Sequence, residues 1–143
     1  MKDEAKTFVF DTDGAVLVAK HIAKYPDGQK ASAVMPLLDI AQRQCGGWLP
    51  REAMDHIAGL LDMAPIRVYE VVSFYEMYHD KPRGKHELRV CTTTPCWLRG
   101  STEILRACEK ELGCKVGETS EDGIFTLSEF ECLGACVNAP IIW

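Results

Sequence analysis

Three features of the sequence predict an α+β fold built in two parts. From about residue 16 to 80 the apolar residues recur at helical spacing, with no alternating stretch. A polar segment, DKPRGKHE at 80–87, then interrupts the pattern with proline and glycine. Beyond it, strand-like and helical runs alternate around two pairs of cysteines. The expected organisation is an irregular leader at 1–14, a helical bundle at 15–80 and a sheet-bearing domain at 86–143.

Within the first part, AVLVAKHIAKY spaces Leu17, Val18, Ile22 and Tyr25 for one helix, which Pro26–Gly28 should end. SAVMPLLDIAQRQ offers Ser32 as an N-cap and Val34, Leu37, Leu38 and Ala41 as a buried stripe. Pro36 is tolerable there because the first turn commits few amide donors. A third helix opens with Pro50 at N1 and lines up Met54, Ile57, Ala58 and Leu61. The fourth opens with Pro65 and carries Val68, Val71, Val72, Tyr75 and Tyr78. Short helices joined by Gly/Pro turns make an antiparallel bundle the natural arrangement.

In the second part, LRV reads as a strand, and STEILRACEKELG reads as a helix. Ser101 is its expected cap, Ile104, Leu105, Cys108 and Leu112 its buried stripe, and Gly113 its stop. CKVGE is a weaker strand and GIFTLSEFE a clearer one. The final run, VNAPIIW, has the look of a strand cut short, as if the C-terminus were truncated.

Sixteen basic residues against 21 acidic ones leave a formal charge of −5. Without a basic cluster, nucleic acid and anionic membrane are disfavoured as partners. No apolar run reaches the roughly 20 residues that a spanning helix needs. The start, MKDEAKTFVFDTDG, lacks the basic-then-apolar order of a secretory signal, though a transit peptide already removed leaves no trace. There is no Walker loop, G-x-G-x-x-G, G-x-S-x-G or H-E-x-x-H, and His21, His56, His79 and His86 are scattered. Nothing here binds a nucleotide by a recognisable motif.

Seven cysteines in a chain with no export signal point to metal or redox chemistry more than to disulfides, and an odd number cannot all pair internally. Cys91 and Cys96 have C-x(4)-C spacing, and Cys132 and Cys136 have C-x(3)-C. Each pair follows a predicted strand in a loop rich in Thr, Pro or Gly. A structural zinc site and a [2Fe–2S] centre both use four thiolates at such spacings, and spacing leaves the two open. A thioredoxin-type dithiol would use C-x-x-C, which is absent. If the site is iron–sulfur, its charge with four thiolates is about −2, falling to about −3 on reduction. Donors facing the sulfurs must offset that charge, and the loop amides and the hydroxyls of Thr92, Thr93 and Thr94 are the candidates in the outer layer. Cys108 reads as a core residue, while Cys45 and Cys114 have no partner at ligand spacing.

VCTTTPCWLRGS, KVGETSEDGIFTL and FECLGACVNAP together resemble the 24-kDa-type [2Fe–2S] protein, the E-type component, of NADH:quinone (ubiquinone) oxidoreductase, respiratory complex I. KYPDGQKASAVMPLLDIAQRQ, GWLPREAMDHIAGLL and RVYEVVSFYEMY resemble its helical half, so the likeness runs from about residue 20 to the end. It decides for iron over zinc. It implies a helical bundle followed by a thioredoxin-like [2Fe–2S] ferredoxin domain, with Cys91, Cys96, Cys132 and Cys136 as the cluster ligands. It also implies docking on the 51-kDa-type flavoprotein subunit, which carries FMN and NADH, among the peripheral-arm subunits of complex I. The setting would be the matrix side of the mitochondrial inner membrane or the cytoplasmic side of a bacterial one, without insertion into it. Related subunits serve NAD-linked hydrogenases and formate dehydrogenases, but the helical-half wording favours complex I. Two departures stand out: the family continues past NAPIIW, and the turn CGGWLP carries an extra residue.

Overall fold

The computed structural model describes residues 7–143. The chain divides into two compact units, the first ending at Pro82 and the second running from Arg83 to Trp143. Of the leader expected at 1–14, residues 1–6 lie outside the described residues. Residues 7–11 are irregular, and helix α1 (Thr12–Ile22) begins earlier than the spacing suggested. The reason is Asp11, whose carboxylate accepts the Gly14 N–H at 2.6 Å and so caps the helix.

In the first unit, α1 buries Gly14 and Val18, with Ile22 packed partly against the core, while Leu17 faces out. A short 3₁₀ turn (Lys30–Ala33) leads into α2 (Val34–Gln44). Ser32 therefore falls inside that turn and makes no cap: the N-cap of α2 is Ala33, without a side-chain bond. The expected stripe Val34, Leu37, Leu38 and Ala41 is buried. Pro50 is the N-cap of α3 (Arg51–Leu61) rather than its first residue. Helix α4 (Pro65–Phe74) begins at Pro65 as the sequence requires, but stops before Tyr75, whose backbone is extended. Tyr78 is buried all the same, and its hydroxyl donates to the Met35 carbonyl at 2.9 Å. The four helices meet around Leu37, Leu38, Leu49, Ile57, Leu61 and Val68, none more than 2% exposed.

In the second unit, β1 (His86–Cys91) and β2 (Phe125–Phe130) pair in parallel, in register from His86 opposite Phe125 to Cys91 opposite Phe130. Between them run α5 (Thr94–Leu98) and α6 (Ser101–Leu112). A parallel pair needs such a crossover, and α6 packs its Ile104, Leu105, Cys108 and Leu112 stripe onto Val90 and Leu127. Gly100, left-handed at φ 93°, is the N-cap of α6, so Ser101 lies inside the helix and is fully buried instead of capping it. The weak strand expected at CKVGE is not a strand; the nearby chain contributes one bridge, Thr119 to Thr126. A 3₁₀ turn (Cys136–Asn138) follows β2, and residues 141–143 return antiparallel to β1. Their bonds are Arg89 N–H to Trp143 O at 2.7 Å, Trp143 N–H to Arg89 O at 2.9 Å and Cys91 N–H to Ile141 O at 3.0 Å.

Candidate metal centre

Parallel pairing brings the C-terminal ends of β1 and β2 to one edge of the sheet, the edge where open α/β folds place ligands. Cys91 is the last residue of β1, and Cys132 comes two residues after the end of β2. The Thr92 N–H donates to the Phe130 carbonyl at 3.1 Å and keeps the two departing chains together for one more step.

Past Thr92 the chain turns into α5, with Pro95 in its first turn and Thr93 as N-cap. Threonine at that position ordinarily bonds an amide of the new helix. Here the Thr93 hydroxyl makes no such bond and lies instead 3.3 Å from the Cys91 Sγ. One turn of α5 carries Cys96 back beside Cys91, and both are 1% exposed. The second loop supplies Cys132 and Cys136, both exposed. Gly134 adopts φ 71°, a left-handed turn that directs its N–H to the Cys132 Sγ at 3.4 Å.

These contacts divide the two buried thiols electrostatically. The Thr93 hydroxyl beside its sulfur holds the Cys91 thiol down to about 7 against the cost of burial, helped by the backbone at Thr93 and Leu133 and by Cys96. Burial pushes the Cys96 thiol up, as do the sulfurs of Cys91 and Cys136, while the Ile141 backbone works the other way. Cys96 thus feels both Cys91 and Cys136, and the Leu133 backbone brings the Cys132 loop against Cys91. The sulfurs face one region without closing on a point: among the described residues no three His, Cys, Asp or Glu side chains stand at metal-holding distance. The donor set is soft sulfur with N–H and O–H groups turned toward it, which suits a group that takes thiolate ligands.

Of the three threonines, Thr93 is the one whose hydroxyl reaches a cysteine sulfur; Thr92 contributes its backbone bond, and Thr94 is exposed at the start of α5. Cys108 packs partly against the core of the second unit, Cys114 is buried in it, and Cys45 ends α2. Sequence reasoning expected loop amides as donors but could not name Leu133 or Ile141, since an amide leaves no residue-type signal. The glycine of ECLGAC was the visible cue to a turn there.

Residues 18–143 match the family model of the thioredoxin-like [2Fe-2S] ferredoxins. The chain is 55% identical over 142 residues to the NADH-quinone oxidoreductase E subunit of Rickettsia conorii, covering 99% of this chain and 85% of the relative. It is 56% identical over 135 residues to the same subunit from Rickettsia felis, covering 94% and 81%. It is 51% identical over 140 residues to the mitochondrial NADH dehydrogenase (ubiquinone) flavoprotein 2 of Dictyostelium discoideum, covering 98% of this chain and 57% of the relative.

Proposed function

The chain belongs to the thioredoxin-like [2Fe-2S] ferredoxin family, and from that premise we propose that it is an electron-transfer subunit of an NADH:quinone oxidoreductase. The observation that supports the reading most is that both cysteine pairs leave a parallel β pair at the same end, with Cys91 and Cys96 both buried. The likeness to the Rickettsia conorii protein over nearly the whole chain supports the parent complex.

Cys91, Cys96, Cys132 and Cys136 are the ligands in this reading. A [2Fe–2S] cluster, when bound, supplies acceptance and return of one electron. The protein's part is to hold four thiolates and to face them with donors: the Thr93 hydroxyl and Leu133 backbone at Cys91, the Ile141 backbone at Cys96 and the Gly134 N–H at Cys132. Burial of Cys91 and Cys96 keeps water from two of the ligands, while the exposed Cys132 and Cys136 leave the other side open to a partner. No side chain is assigned as acid, base or nucleophile. The partner is the flavoprotein subunit of the 51-kDa type, which holds FMN and NADH, and the electron passes between that flavin and this chain. No helix among the described residues is long and apolar enough to cross a membrane, and the proposed place is peripheral, on the matrix side in a mitochondrion or the cytoplasmic side in a bacterium.

Metal and sulfide analysis tests the reading. It expects a brown protein with about two iron and about two acid-labile sulfide per chain. Colourless protein holding one zinc would overturn it in favour of a structural Cys₄ module. Reconstitution with the flavoprotein of complex I, against that of an NAD-linked hydrogenase or formate dehydrogenase, separates the parent complexes.

A further inference from the structure

Strand alternation gives the β1–β2 sheet two unlike faces. Leu88, Val90 and Leu127 pack on the α6 side. The other face presents Glu87, Arg89 and Cys91 from β1 beside Thr126, Ser128 and Phe130 from β2. A charged cluster occupies it. Arg83 pairs with Glu87, and the Arg89 Nη2 lies 2.7 Å from the Glu87 Oε2. The Ser128 hydroxyl donates to Glu87 at 2.6 Å and accepts from Arg83 at 3.0 Å. Arg89 is also clamped from both sides: its guanidinium lies 5.0 Å from the ring centroid of Phe130 and 5.0 Å from that of Trp143. Its side chain is 14% exposed.

We propose that Arg89 sets the electron affinity of the cysteine site: its clamped positive charge, two strand residues from Cys91, favours the more negative state of a group held by Cys91, Cys96, Cys132 and Cys136. The inference rests on the cluster reading given above. Two residues along a strand span about 7 Å of backbone, and residues i and i+2 share a face, so the Arg89 and Cys91 side chains leave β1 on the same side, with the guanidinium turned toward Glu87. A charge largely withdrawn from water is screened far less than an exposed one. The two rings hold the guanidinium beside the strand and limit its access to water. Glu87 offsets part of the charge and anchors it. Arg89 acts on the site through space, as a positioning residue for charge, and touches no reacting atom.

The test uses the full chain loaded with iron and sulfide. Its readouts are iron and sulfide content, thermal unfolding, and the midpoint potential from a redox titration followed by electron paramagnetic resonance. Arg89→Gln removes the charge and is expected to move the potential to more negative values at unchanged iron content. Arg89→Lys keeps the charge and is expected to stay nearer the parent than Arg89→Gln. Glu87→Gln is expected to move the potential the opposite way, to more positive values. An unchanged potential in Arg89→Gln at equal iron content overturns the proposal, and so does an Arg89→Lys shift as large as that of Arg89→Gln. Should Arg89→Gln fail to fold, Glu87→Gln decides, and a potential unchanged or more negative there overturns the proposal. Absence of iron and sulfide from the unsubstituted chain strikes the earlier reading instead, and is scored before any variant is made.

Discussion

Hydrocarbon fills the first unit, where a continuous buried cluster runs from Phe10 through Leu37, Ile57 and Val68 to Tyr78. In the second unit the buried apolar cluster is Val90, Cys114 and Leu127 with partly covered neighbours from α6, and Cys91, Cys96, Ser101 and Thr126 are buried as well. A helical unit of this kind is held by apolar burial. A unit that spends its interior on sulfur and hydroxyl groups has less transfer free energy to draw on, and a bound metal group can become part of its folding free energy. The contrast is between two kinds of interior within one chain.

The sharpest way to break that contrast is Cys96→Ser. It is expected to abolish the cluster signal in electron paramagnetic resonance while the far-ultraviolet helical signal of the first unit persists. An unchanged resonance spectrum would mean that Cys96 is no ligand. Next in size is Leu37→Ala, which empties a site fully buried in the first unit. It is expected to cost about 2–5 kcal/mol in a denaturant titration of the helical signal, with the iron-to-sulfide ratio untouched. Equal loss of both signals would show that the two units fold as one.

Thr93→Val keeps the shape at Cys91 but removes the hydroxyl from its sulfur. In metal-free protein the Cys91 thiol then rises above about 7, and its alkylation near neutral pH slows, a change that mass spectrometry resolves site by site. The same thiol makes the metal-free second unit sensitive to pH. Its titration point is depressed from 9.0 to about 7 in the folded chain, so it adds stability that is complete above about pH 9 and lost as pH falls through about 7. Cys96 has the opposite sign, because a raised value is stabilising below its ordinary range and is lost at higher pH. Melting temperature followed by a second-unit probe is therefore expected to climb between pH 7 and 9 without a matching rise in the first unit. The smallest effect belongs to Cys108→Ser. Cys108 is packed partly against the α6 core, and its loss is expected to cost about 1 kcal/mol or less and leave the cluster spectrum as it was.

Much of this division is written in residue order. The stripes of α2 and α3 were legible because buried positions repeat at three and four residues, and Pro65 marked a helix start because proline lacks the amide that a first turn does not use. The misplaced caps have a common cause. Ser32 and Ser101 are good caps by type, yet a 3₁₀ turn claimed the first, and the left-handed Gly100 pushed the second inside α6. Local propensity carries no information about which of two adjacent residues will make the turn.

The sequence by itself determined the α+β class, the boundary near the Pro/Gly segment at 80–87, and two cysteine pairs placed at or just beyond the ends of strands, since periodicity and turn chemistry are local properties. Only the tertiary structure decided that the two strands run parallel with Cys91 opposite Phe130, so that both pairs leave the sheet at one end. It alone turned the Thr93 hydroxyl from a helix cap to a sulfur, brought the Leu133 and Ile141 backbones to the buried thiols, and closed Phe130 and Trp143 over Arg89. Apart from the Thr93–Cys91 contact, those contacts join residues far apart in the chain, and the free energy that selects them exists only once the sheet, the crossover helix and the returning segment are packed together.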